Sequence, residues 1–277
     1  MSGLYLYCIR KKTDTASAFN AKGIDRKKEV FTIIHRELEA VVSRVELKEF
    51  DSWKSGNNTL EDIDWIKEKA VIHEEVVEEA MMADDKFVSV IPMRFGIIFK
   101  DKTRLIEVLD KDYAKFKKIL NKIRGKQEWG VKVYIFDEGT FEQAVKENSY
   151  QLKQKEQEIA AMLEGMAYFM EEDLKEAISE EVNKVLNDIT GHVLEGLGEI
   201  ATESVKTKIL DNVMTGKTEK MVLNTAFLVQ EDRIDVFKKK LEDIDDDLKK
   251  KGIYLEYSGP WPPFNFTSHR FTAGASL

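Results

Sequence analysis

Val131-Lys132-Val133-Tyr134-Ile135-Phe136 alternates side-chain character as a half-buried strand does, successive residues facing opposite ways. Directly after it the period changes. From about Gln151 to Ile189 the apolar positions Ile159, Leu163, Met166, Met170, Leu174, Ile178, Val182, Val185 and Ile189 step by three or four, the spacing of a helix packed along one stripe. This spacing predicts one long helix, or two joined near Gly165. No proline between Met93 and Gly259 interrupts it. The switch from strand to helix marks a boundary, so two domains are expected, residues 1-138 and 139-277, meeting between Asp137 and Gln151.

Upstream, Leu4 to Ile9 and Val41 to Leu47 are β-branched or aromatic enough to read as strands. Leu60, Ile63, Ile66, Val76 or Val77, and Ala80 recur at helical spacing, predicting an amphipathic helix from about Leu60 to Met82. Phe87 to Ile91 and Phe95 to Phe99 flank Pro92-Met93-Arg94, and the proline confines that segment to a strand end, bulge or edge. Asp101 reads as an N-cap for a helix marked by Leu105, Leu109, Phe116, Leu120 and Ile123 and stopped near Gly125. Strands interleaved with covering helices make residues 1-138 an α+β unit, expected to be ferredoxin-like.

Downstream, Gly191, Gly196 and Gly198 are expected to break or loosen the helical run, with another helix reaching about Met214. Met221 to Val229 reads as a strand, Ile234 to Leu248 as a helix, and Ile253 to Tyr257 as a strand. The fold class is therefore α+β, with an N-terminal ferredoxin-like domain and a C-terminal domain of long helices plus a strand-helix-strand tail. That tail needs a further sheet element to complete its core.

The 43 basic residues are outnumbered by 51 acidic ones, a net charge of -8, so nucleic acid and anionic membranes are poor partners. A hydrophobic content of 43% supports a packed core. The single cysteine, Cys8, is at home in a reducing compartment, which predicts a cytoplasmic location. Leu4 to Ile9 is too short for a signal segment, and no run approaches the roughly 18 apolar residues of a membrane span.

Motifs that carry chemistry each lack a required position. His73-Glu74-Glu75-Val76-Val77 begins like a zinc-protease helix, but Val77 stands where the second histidine belongs. His35, His192 and His269 are scattered singly, and each reads as solvated or satisfied in a core. Asp243, Asp245 and Asp247 resemble the start of a calcium loop, yet Leu248 and Tyr254 occupy its glycine and glutamate positions. Gly216-Lys217-Thr218 echoes a phosphate loop whose first glycine is replaced by Asp211. Gly196-Leu197-Gly198-Glu199-Ile200-Ala201 matches a loosened dinucleotide fingerprint without a preceding strand. No metal, nucleotide or redox cofactor is expected, and the chain does not read as an enzyme. The alternative class is a small-ligand or nucleotide-binding protein on a ferredoxin-like sheet, for which Gly196 is the support.

Three segments combine rigid turn residues with large aromatics: Ile91-Pro92-Met93-Arg94-Phe95-Gly96, Glu128-Trp129-Gly130-Val131-Lys132-Val133 and Gly259-Pro260-Trp261-Pro262-Pro263-Phe264-Asn265-Phe266. Their candidate partner-binding or fold-signature residues are Arg94, Phe95, Trp129, Trp261, Pro262, Pro263 and Phe264. Trp261 and Phe264 either present a preordered aromatic surface or fold back against the sheet. Arg94 pairs with a partner carboxylate or with an internal acceptor. Trp129 reads as core.

Together with Tyr5-Leu6-Tyr7, His73 and Asn224-Thr225-Ala226-Phe227-Leu228-Val229, these segments resemble the gas vesicle protein GvpF/GvpL family nearly end to end. The resemblance implies an accessory protein of gas vesicles, the air-filled protein shells that give aquatic microbes buoyancy. It implies two α+β domains, one with a ferredoxin-like sheet and one with long helices. The small hydrophobic shell protein and other gas vesicle accessory proteins are the implied partners, and no catalysis is implied. Such a protein holds shell subunits soluble, nucleates their polymerisation, or stays in the particle.

Overall fold

A computed structural model of the chain describes residues 2–14, 18–48, 50, 60–83, 86–161 and 164–267. It divides into two compact units, Met1–Glu128 with Pro260–Leu277, and Trp129–Gly259. The boundary thus falls ten residues before the expected 138, and the last segment belongs to the first unit instead of the second. The change of period located the end of a strand, whereas the units part inside that strand.

The first unit contains β1 (Ser2–Lys11), β2 (Val30–His35), β3 (Leu38–Glu46), α1 (Leu60–Ala80), the small hairpin β4 (Met82–Ala83) and β5 (Lys86–Phe87), then β6 (Val90–Pro92), β7 (Ile98–Phe99), α2 (Lys102–Lys111) and α3 (Tyr113–Ile123). Its sheet runs β2-β3-β1-β6, with β7 also on β1. The central strand β1 is antiparallel to β3, β6 and β7. Because it is covered on both faces, Leu4 to Ile9 forms an unbroken buried run rather than an alternating one. On α1, Ile72, Val76, Val77 and Ala80 join Tyr5, Tyr7, Val41 and Val45 in one core. Asp101 caps α2 as expected, accepting from the Arg104 N–H at 2.9 Å. The single helix expected after it is two, α2 and α3, parting at Asp112, which is buried and paired with Lys115 at 2.8 Å.

Strand β8 (Lys126–Ile135) leads into the second unit, followed by α4 (Glu138–Asn148), α5 (Tyr150–Ala160), α6 (Glu164–Gly198), β9 (Glu203–Lys206), the short α7 (Asn212–Thr215), β10 (Lys220–Gln230), α8 (Ile234–Lys249) and β11 (Ile253–Trp261). The sheet order is β11-β8-β10-β9. Strand-helix-strand-strand-helix-strand with the fourth, first, third and second strands side by side is the ferredoxin-like arrangement. It therefore lies in the second unit, and the expectation of a ferredoxin-like N-terminal domain is corrected. In the first unit two strands follow β1 before any long helix, and β1 sits between β3 and β6. The sheet element required by the strand-helix-strand tail is β8 together with β9. The latter reads Glu203-Ser204-Val205-Lys206, an edge strand too short and polar to show a period, and sequence spacing had placed a helix there.

Val131, Val133 and Ile135 on β8, Leu223 and Phe227 on β10, and Ile253 and Leu255 on β11 share a core with Ile189, Val193 and Leu197 of α6 and Phe237 and Leu241 of α8. Each fully buried side chain of this size contributes about 1.5–3 kcal/mol. Contrary to expectation, α6 runs through Gly191 and Gly196. A Cβ at Gly196 would stand 3.1 Å from Lys240 Cε and 3.7 Å from Ile244 Cδ1, so this glycine lets α6 approach α8 closely. Gly191 is exposed, and a Cβ there meets nothing within 4 Å. Gly191→Ala is expected to stabilise the protein by about 0.5–1 kcal/mol, because alanine loses less backbone entropy in a helix. The urea midpoint should rise; an unchanged or lower midpoint contradicts the open helical site.

Candidate functional site

The first signature segment forms a turn held from beneath by buried polar groups. Tyr5 Oη accepts the Gly96 N–H at 3.1 Å and lies 2.9 Å from His73 Nδ1. Its proton therefore goes to Nδ1, leaving the Nε2–H of His73 to donate to Met93 O at 3.0 Å. Met93 N–H donates to Tyr7 O at 2.8 Å, and Leu6 N–H to Ile97 O at 2.9 Å. Tyr7 Oη accepts from Ile24 N–H at 2.7 Å and shares a hydroxyl–hydroxyl hydrogen bond with Ser43 Oγ at 2.8 Å. Gly96 takes φ 84°, a conformation that a side chain disfavours.

Burial pushes His73 down to about 4, against a partial offset from the Met93 hydrogen bond. The histidine of the incomplete zinc-like motif is thus neutral and structural. What this network fixes is the position of Arg94, which is exposed and, among the described residues, has no hydrogen bond or ion pair. Phe95 beside it is half-buried against the rings of Tyr5, Trp65 and His73, with centroids 6.2–6.5 Å away.

The second and third segments meet each other. Glu128 is 4% exposed, and its Oε1 and Oε2 accept the side-chain and backbone N–H groups of Asn265 at 2.6 and 3.1 Å. Pro262, Pro263 and Phe266 are buried, Phe264 is half-buried, and Trp261 is 40% exposed. The two readings of the tail thus divide along it: its end folds back, while Trp261 stays at the surface. Trp129 is core, with Lys238 Nζ 4.7 Å above its ring and Tyr257 6.1 Å away. Sequence reasoning singled out Trp129 and Phe264 but not Glu128 and Asn265, since no local period reports a clamp between residues 137 apart.

The remaining motifs have structural roles. On α8, Asp243 and Asp247 pair with Lys239 and Lys250 at 2.8 and 2.7 Å, and Asp245 accepts from Leu255 N–H at 2.7 Å. Lys217 pairs with Glu256 at 2.6 Å and lies 4.8 Å above the Tyr134 ring. The Gly196 segment ends a helix instead of opening one after a strand, so the geometry of a dinucleotide turn is absent from it. Among the described residues, no group of three or more His, Cys, Asp or Glu is arranged to hold a metal ion.

The model of the family described as "Gas vesicle synthesis protein GvpL/GvpF" matches residues 3–268. The chain belongs to the GvpL/GvpF family. Its similarity to gas vesicle protein L1 of Halobacterium salinarum is 23% identity over 271 residues, covering 96% of this chain and 90% of the relative. With gas vesicle protein F of Nostoc sp. it shares 27% identity over 199 residues, 71% of this chain and 75% of the relative. The crystal structure of GvpF from Anabaena sp. matches with a TM-score of 0.77 at 21% identity, covering 98% of this chain and all of that one. GvpF from Microcystis aeruginosa gives 0.68 at 20% identity, covering 96% and 99%. This likeness is one of fold, and it confirms the mixed α+β class. As a GvpL/GvpF member, the chain is a protein of gas vesicle formation. Among its described residues no helix is long and apolar enough to cross a membrane.

Proposed function

We propose that this protein binds the small hydrophobic gas vesicle shell protein directly and supports nucleation and assembly of the shell, as a non-catalytic, cofactor-free factor in the cytoplasm. Family membership supports the vesicle role. The observation that carries the binding role is an open apolar cleft of about 590 Å³ in the second unit, lined by Phe136, Phe141, Ala144, Val145, Val185 and Ile189. Subunits that tile a gas-facing wall expose apolar surface before assembly, and such patches associate indiscriminately unless covered. Arg94, held on its fixed turn, supplies a cation for a partner carboxylate at little ordering cost.

Co-expression and pull-down with the shell protein tests this. The wild type is expected to capture it. Phe136→Asp, at a side chain 52% exposed, and Arg94→Glu should each weaken capture about tenfold or more while the melting temperature hardly moves. Absence of capture by well-folded wild type overturns the proposal. Retention of capture in Phe136→Asp removes the cleft from it.

A further inference from the structure

Another cleft, of about 500 Å³, lies in the first unit where β1, β2 and β3 meet the start of α2. The strand register assembles it. Leu4 of β1 stands opposite Arg44 of β3 on one side and Phe99 of β7 on the other, so the chain leaving β7 brings Lys100 and Lys102 to the concavity that Arg44 lines. All three residues are exposed, and none has a hydrogen bond or ion pair among the described residues. The lining holds a single carboxylate, Asp101, whose Oδ1 accepts the Arg104 N–H as the cap of α2. Glu29 and Glu46, the acidic residues nearest along the chain to its β2 and β3 segments, are outside the lining. In its wall Leu4 and Ile33 are buried and Phe31 is half-buried, so one side of the cleft is apolar. Three positive charges thus face one negative charge, in a chain whose net charge is -8.

We propose that this cleft binds a small ligand carrying two or more oxyanion groups, phosphate or carboxylate. The guanidinium of Arg44 offers paired N–H donors that match either group, and the ammonium groups of Lys100 and Lys102 neutralise a second one as point charges. A monovalent anion would leave the cations in surplus. Hydroxyls of Ser2 and Thr32 in the lining add neutral donors. A cleft of one sign beside an apolar wall focuses its potential and concentrates counter-ions. The acidic excess of the whole chain does not cancel this, because charges farther than a Debye length of about 8 Å are largely screened. The volume lies within the roughly 300–1,000 Å³ of small-molecule sites.

Calorimetric titration of the full chain with pyrophosphate, citrate and inorganic phosphate, at neutral pH and low ionic strength, tests this. Pyrophosphate or citrate should bind saturably at a single site, about tenfold or more tighter than inorganic phosphate. Whichever of the two binds more tightly tells a phosphate ligand from a carboxylate one. Arg44→Glu and the Lys100→Glu/Lys102→Glu pair should each weaken binding about tenfold or more. Their melting temperatures should hardly move, because these side chains are exposed and have no partner among the described residues to lose. Lys118→Glu, the same change of charge at an exposed position of α3 outside the lining, should weaken binding less than about twofold. Absence of saturable binding below about 1 mM for both probes, an equal loss in Lys118→Glu, or undiminished binding by Arg44→Glu overturns the proposal. Tighter binding of hexa-aspartate than of either probe also overturns it, and assigns the cleft to an acidic protein segment.

Discussion

Glu39→Ala is expected to lower stability by about 3–5 kcal/mol, the usual cost of leaving a buried charge without its partner. Arg10 is fully buried and Glu39 is 2% exposed, and the two face each other as cross-strand partners in the β1–β3 register. Arg10 Nε donates to Glu39 Oε2 at 3.2 Å, and Nη1 to Ala80 O at 2.7 Å, at the end of α1. The same carboxylate oxygen accepts from Thr13 Oγ1 at 3.2 Å. Removing Glu39 takes from the buried guanidinium a carboxylate partner that water cannot replace there. The Arg10→Leu/Glu39→Leu pair, by contrast, exchanges two desolvated charges for apolar surface and should recover most of the loss. Urea denaturation of both variants checks this. A loss below about 1 kcal/mol for Glu39→Ala would show that water reaches the site.

His73 should oppose the fold in acid, and removing two carboxyls should expose its effect. The folded ring titrates at about 4 and the free one at 6.5, so the unfolded chain binds the extra proton between these values. Its contribution is present above pH 6.5 and lost as pH falls toward 4, about 3 kcal/mol in all. Glu74 and Glu128 work in the opposite direction: raised from 4.5 to about 7 in the fold, they favour it increasingly as pH falls through that window. Two such carboxyls outweigh the one histidine, so wild-type stability should rise by about 2 kcal/mol between pH 7 and 5. In Glu74→Gln/Glu128→Gln the opposing contribution is gone, and stability should decline steadily below pH 6.5. Denaturation midpoints at intervals from pH 7.5 to 4 distinguish the two curves; a double variant whose stability does not decline below pH 6.5 would remove His73 as the acid-sensitive group.

The sequence by itself determined those elements whose side chains repeat with a local period. The strand at Val131 to Phe136, the helix from Ile234, the start of α2 at Asp101 and the family motifs were legible because each depends on residues within a few positions of one another. Tertiary structure alone decided which strands became neighbours, because a period reports that a face is apolar and not what will cover it. That is why the ferredoxin-like sheet was assigned to the wrong half: its second strand, at the sheet edge, is Glu203–Lys206, which has no apolar signal of its own. Arg10 follows the apolar run Leu4 to Ile9 with nothing local to mark it as interior, and it is the register with Glu39 that places it in the core. The incomplete zinc motif already spoke against a metal at His73, but only the fold shows that Tyr5 and Met93 are its partners. Glu128 and Asn265 carry no mark of each other in sequence, since long-range pairing arises only when the chain ends of two strands are brought together by packing elsewhere.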